Sequence, residues 1–172
     1  MREPHPLVTQ AIEAGVEARV GWKLADPTIE KDARALWTRL AVLPANADID
    51  QRASEIVAIA YVDGEAAGVA TAFVREIEFL RARFAMFRCV VAPEFRRRNV
   101  MRVLLNLSLD TLCQWSQDHP EEDVKGMATV TQNAEIGAAK LPGVMPTTGL
   151  VLVGYTDAGD RIRVAWFDHA RV

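Results

Sequence analysis

The spacing of apolar positions changes several times along the chain, and each change marks an element. After Asp26-Pro27, the residues Ile29, Ala33, Leu36, Trp37, Leu40 and Leu43 recur every three or four positions, which gathers them on one face of a helix. Asp26 suits the cap of that helix and Pro27 its first position. Pro44 is expected to end it, because the residue before a proline is pushed out of the helical region. Ahead of it, "ARVGWKLA" predicts a strand. Residues 1–17, with two early prolines and the helix-compatible patch beginning "LVTQAIEAG", read as an N-terminal extension, and residues 18–172 as a single domain. The polar stretch "ANADIDQRASE" is a connection or a short second helix.

From Ile56 the period disappears into continuous apolar runs. "IVAIAYV" and "AAGVATAFV" flank Asp63-Gly64, a pair that readily takes the positive φ angles of a two-residue hairpin turn. A third strand, "RFAMFRCVV", follows after "VREIEFL". Strands this uniformly apolar belong to a sheet covered on both faces. "NVMRVLLNLSLDTLCQWSQDH" then predicts a helix of about five turns, stopped before Pro120. "KGMATVT" is a strand, "NAEIGAAK" a short helix, and "GLVLVGYT" with "RIRVAWFDHA" a last hairpin around Asp157 to Asp160. The fold class expected from this order is α/β of the α+β kind: a mixed, mostly antiparallel sheet with helices on both faces.

Composition narrows the partners. The chain has 172 residues, half of them hydrophobic, and a formal net charge of −3, so anion recognition rests on local arginines and neither nucleic acid nor a lipid surface is an expected partner. No apolar run is long enough to span a membrane, and no secretory segment opens the chain. Cys89 and Cys113 are expected to be reduced, in a soluble cytoplasmic protein.

The chemistry concentrates in "CVVAPEFRRRNVMRVLL". Backbone N–H groups at a helix start are unpaired within the helix, and the helix dipole adds positive charge there, so the start of such a helix holds phosphate. By itself the arginine run also fits a solvated turn. The stretch, with the element order from about residue 18 onward, resembles the GNAT superfamily of acyl-CoA-dependent N-acyltransferases. In that family a strand ending Val-x-Pro-x-Tyr/Phe leads into Arg/Gln-x-x-Gly-x-Gly/Ala. Val91, Pro93, Phe95 and Arg96 match; Asn99 and Met101 stand where the family has glycine or, at the second position, glycine or alanine. Asn99 is the least damaging replacement, because asparagine visits positive φ more readily than other non-glycine residues. Met101 either crowds the phosphate or points into the core, and Arg97, Arg98 and Arg102 can add charge-assisted hydrogen bonds.

The resemblance implies an acyl-CoA co-substrate, most simply acetyl-CoA. Its pantetheine arm would meet the backbone of Cys89 and Val91, and its pyrophosphate would meet Arg96, Arg97, Arg98, Asn99, Val100 and Met101. Asn133 would contact the pantetheine arm or cap the following helix. The implied acceptor is a small-molecule amine or a peptide, with a homodimer left open. Two expected groups are absent: the strand leading to the loop carries no carboxylate as general base, and Lys140 stands near the position of the family's acidic tyrosine. Glu76 and Glu78 are candidate bases or simply solvent-facing acids. His169 is a weaker candidate, or a hydrogen-bonded histidine on the last strand. Cys89 lies in an apolar strand, where a thiol is usually inert packing. Arg88, inside that strand, needs a carboxylate partner or an open cleft, where it would favour an acidic acceptor. The alternative to a working acyltransferase is a catalytically silent binding or assembly domain of the same fold.

Overall fold

The computed structural model describes residues 10–13, 15–131 and 140–171. The expected helix "NAEIGAAK", Asn133 included, lies for all but its last residue outside them. The chain forms two compact units, one from the residues up to Ala72 together with Cys89–Thr111, the other from Phe73–Arg88 and the residues from Leu112 on.

The first unit begins with a hairpin where a helix-compatible patch was expected. β1 (Gln10–Glu13) pairs antiparallel with β2 (Val16–Val20), Glu13 opposite Val16. Gly15, at φ 77°, makes the turn, a conformation glycine adopts without strain. In β2 the fully buried Val16 and Ala18 alternate with more exposed Glu17 and Arg19, the period of a strand rather than a helix. The expected extension, residues 1–17, therefore holds β1 and the first two residues of β2.

α1 (Pro27–Leu40) starts as its sequence predicts: the Asp26 carboxylate accepts from the N–H groups of Thr28 and Ile29, at 2.8 and 3.2 Å. It ends earlier than Pro44, because Ala41 turns left-handed at φ 50° and its N–H bonds back to Thr38. α2 (Ile49–Ser54) is the short second helix, capped by Asp48. β3 (Ile56–Val62) and β4 (Glu65–Ile77) are joined at Asp63 and Gly64, both at positive φ. β3 pairs antiparallel with β2 and with β4.

Helices cover both faces of these strands. Ile29, Ala33, Leu36 and Trp37 of α1 pack in one cluster with Ile56, Ile59, Tyr61 and Val69. On the opposite face the next helix sits close because residue 68 is glycine. A Cβ there would meet the Val90 carbonyl oxygen at 2.9 Å, Val100 Cγ1 at 3.0 Å and Leu104 Cδ1 at 3.1 Å. That helix is α3 (Val100–Asp118), entered from β5 (Ala82–Val91) through a 3-10 turn at Pro93–Phe95.

In the second unit β5 pairs in parallel with β6 (Val124–Val130), from Arg83 opposite Val124 to Phe87 opposite Thr129. β8 (Arg161–Trp166) pairs antiparallel with β6 and with β7 (Val151–Tyr155), giving the order β5-β6-β8-β7. The sheet is thus mixed and mostly antiparallel. Phe84, Ala128, Ile162 and Val164 centre the core on one of its faces. "VREIEFL" is not a free joining segment: β4 runs through Ile77, and a 3-10 turn, Glu78–Leu80, closes with Arg81 left-handed. Among the described residues no helix is long and apolar enough to cross a membrane.

Candidate functional site

The arginine run lies at the mouth of α3, all of it in the first unit. Ala92 is tied to β4 through its N–H and the Ala67 carbonyl, at 2.8 Å. The chain then tightens: Phe95 N–H bonds to Ala92, Arg96 to Pro93, and Arg98 to Phe95. The first helical bond after the turn is from Val103 N–H to the Asn99 carbonyl, at 3.1 Å. The N–H groups of Val100, Met101 and Arg102 therefore stand at the helix opening, ahead of the first i to i−4 bond.

Asn99 has φ 61°, the left-handed conformation that a glycine would take and that asparagine tolerates best among the other residues. Its neighbours divide by environment. Arg96, Arg97, Arg98 and Asn99 are exposed, whereas Val100 is wholly buried and Phe95 packs against the α1 core. The loop is thus anchored by Phe95 and Val100 and offers polar groups between them. Met101 is 41% exposed, so it lies at the surface of the helix opening and not in the core.

One support was not apparent from the sequence. Arg39, in the last turn of α1, donates to the carboxylate of Glu94 within the 3-10 turn and lies 3.6 Å from that of Glu65 at the start of β4. The Arg39 hydrogen bond holds the Glu94 carboxyl below its ordinary pKa. Nothing local in the sequence pairs residues 55 positions apart.

Cys89 is half-buried, its Sγ 3.9 Å from the Val90 carbonyl, and burial pushes its thiol up to about 12. It is a neutral thiol and no nucleophile. Val91 is buried at the end of β5. In the second unit Glu76 lies in β4 and Glu78 in the 3-10 turn after it, so they do not share one strand; both are exposed. Arg88 is half-buried, with its guanidinium 4.5 Å from the centre of the Phe73 ring. Lys140 is exposed.

His169 is past the end of β8, not on that strand. Its Nε2 is 2.9 Å from the Oγ of buried Ser116 and its Nδ1 is 3.9 Å from Cys113 Sγ, both on α3. Ser116 Oγ already donates to the Cys113 carbonyl, so Nε2 carries the proton and donates to it. Burial, first, and the nearby Arg171 lower the His169 pKa. The arrangement fastens the C-terminal turn to α3.

The sequence pattern of the acetyltransferase (GNAT) family matches residues 10–137. Among curated proteins none matches the chain. Solved structures share the fold at low identity. The ribosomal-protein alanine N-acetyltransferase of Escherichia coli is 16% identical at a TM-score of 0.56, with 91% of this chain and 96% of that one covered. yncA of Salmonella typhimurium, with its cofactor acetyl-CoA, is 14% identical at 0.56, covering 92% and 97%. An Arabidopsis thaliana protein in complex with the bisubstrate analogue CoA-Ac-MVNAL is 15% identical at 0.56, covering 87% and 97%. With the family pattern spanning most of the sequence, from β1 to beyond β6, the chain belongs to the GNAT family of acetyltransferases.

Proposed function

We propose that the chain moves an acyl group, most simply acetyl, from acyl-CoA to a primary amine of a small molecule or peptide. The observation that carries this reading is Asn99 at φ 61° before α3. The backbone keeps the turn that a glycine would make, and three exposed arginines stand beside the helix-opening N–H groups of Val100 and Met101, ahead of the first i to i−4 bond. Arg96, Arg97 and Arg98 with the N–H groups of Val100 and Met101 would hold the pyrophosphate. The main chain at Cys89 and Val91 would hold the pantetheine amides as an added strand does. Similar proteins include one seen with acetyl-CoA and one named for N-acetylation of a protein alanine, which supports this class of co-substrate and acceptor.

Transfer is direct. The neutral amine nitrogen attacks the thioester carbonyl carbon, the C–N bond forms, the C–S bond breaks, and the sulfur leaves as a thiolate while the amine's proton passes to a base or to water, from which the thiolate takes a proton to become the thiol. A main-chain N–H of β5 near the carbonyl oxygen would stabilise the charge that develops there. β5 contains no Asp or Glu, so the rate would rest on positioning and this electrostatic term, with the proton taken by water.

That same absence favours a second reading, a domain that binds acyl-CoA or assembles with a partner without catalysing transfer. Calorimetry with acetyl-CoA and longer acyl-CoAs, followed by thiol-release assays on a panel of amines and peptide N-termini, separates the two. Binding with amine-dependent thiol release supports the enzyme; binding without release supports the silent domain; no heat with any acyl-CoA removes the co-substrate from both.

A further inference from the structure

Arg163, in the middle of β8, is only 4% exposed. Its neighbours Ile162 and Val164 face the apolar core of the second unit, so Arg163 points to the other face of the strand. On that face Thr129 of β6 and Leu152 of β7 lie directly across from it. Among the described residues the guanidinium makes one hydrogen bond, from Nη1 to the Gly143 carbonyl at 3.2 Å, and that oxygen also accepts from Leu152 N–H at 2.8 Å. Among the described residues, Nε is buried with no hydrogen-bond partner, and none of the ion pairs involves Arg163. A buried cation satisfied by one shared neutral carbonyl is costly, and such charges are ordinarily paired.

The geometry limits what completes it. Gly143 uses the Nη1 end, which leaves the Nε–Nη2 edge, the edge that presents two parallel N–H bonds to a planar or tetrahedral oxyanion. Gly143 is exposed, so the connection whose carbonyl meets the guanidinium lies at the surface. Thr129, half-buried and cross-strand, places a hydroxyl-bearing side chain on the same face.

We propose that Arg163 is an oxyanion-binding residue, taking a carboxylate or phosphate group on its Nε–Nη2 edge beside Gly143. The site draws on residues of the second unit alone and does not depend on acyl transfer.

The test is thermal melting and calorimetry of the full chain with inorganic phosphate and with acetate, at constant ionic strength set by NaCl. Three variants accompany the wild type: Arg163→Met, Arg163→Lys, and Arg97→Gln with Arg98→Gln. The expected result is a wild-type Tm raised by about 3 °C or more at an anion concentration a hundredfold above Kd. Arg163→Met is expected to melt no lower than wild type without anion and to show no anion response, while the loop double variant keeps it. Arg163→Lys, which keeps the charge but loses the fork, should bind at least tenfold more weakly even if the methionine variant fails to fold. A response to acetate alone identifies a carboxylate source and a response to phosphate a phosphoryl one, and both support the site. The proposal is overturned if neither anion shifts the wild type, if the response survives in Arg163→Met or vanishes in the loop variant, or if Arg163→Lys binds as tightly as wild type.

Discussion

The Arg39 guanidinium, at the end of α1, grips the carboxylate of Glu94 in the turn that feeds the arginine run, a pairing across 55 residues of sequence. Both side chains are exposed, so the pair adds little to stability in water. What it can do is fix the angle at which Pro93–Phe95 delivers the chain to the mouth of α3.

Glu94→Gln is therefore expected to weaken CoA binding severalfold while leaving the melting temperature nearly unchanged. The pH dependence has a definite sign. The Glu94 pKa is lowered, chiefly by the Arg39 hydrogen bond, so its contribution is complete above the ordinary carboxylate range and is lost as pH falls through the depressed folded value. CoA dissociation constants for wild type and Glu94→Gln, measured between pH 3.5 and pH 7.5, should converge only at the acidic end. A constant ratio across the range would mean that the charge plays no part.

Asn99 provides a test of the turn itself. At φ 61° a residue without asparagine's tolerance is strained, so Asn99→Ala should destabilise the chain by about 1 kcal/mol, as left-handed conformations cost ordinary residues. Asn99→Gly should remain close to wild type, relief of strain offsetting the added freedom of the unfolded chain. Combined with Met101→Gly, which removes an exposed side chain at the helix opening, it should tighten CoA binding despite a helix cost of up to roughly 1 kcal/mol. Urea melts and calorimetry on the three variants read both effects.

The His169 fastening predicts a pH effect on stability. Because burial lowers its pKa in the folded chain, the unfolded chain takes up the proton first, and stability falls as pH drops from the ordinary histidine range through the lower folded value. Protonation puts a second N–H on Nδ1, which faces the Cys113 sulfur and not an oxygen acceptor. In His169→Gln the loss of stability between pH 8 and pH 5 should be smaller than in wild type. Ser116→Ala removes the buried hydroxyl that accepts from His169 Nε2 and should cost about 1 kcal/mol at pH 8. Denaturant midpoints at the two pH values for the three proteins check both statements.

Local chemistry made much of this legible in the sequence. Asp26-Pro27 announced the start of α1 because capping is a property of adjacent residues, and Asp63-Gly64 announced the hairpin because positive φ selects few side chains. Asn99 was legible for the same reason. The first hairpin was not, since "QAIEAGVEA" has helix-favouring residues and its strand character comes from pairing with β3, a distant partner that overrides local preference. The end of α1 was misplaced because Ala41, not a proline, turns the chain. Within the site, Arg39 with Glu94 and the burial of Arg163 are long-range facts, and neither residue type nor spacing encodes them.

The arginine run gives the final prediction. Arg97 and Arg98 are exposed and sit between the anchors Phe95 and Val100, so replacing both by glutamine should change stability by no more than about 0.5 kcal/mol, as surface substitutions usually do. If they face a pyrophosphate, the double variant should bind CoA more weakly, and the deficit should shrink as salt screens the ligand's charge. Pantetheine, which lacks the pyrophosphate, should bind both proteins alike. Dissociation constants for the two ligands at 50 mM and 500 mM NaCl decide the matter. Equal losses for both ligands would indicate a distorted loop. No loss for either would leave the three arginines as a solvated turn, and would move the phosphate contacts to the helix-opening N–H groups of Val100 and Met101 alone.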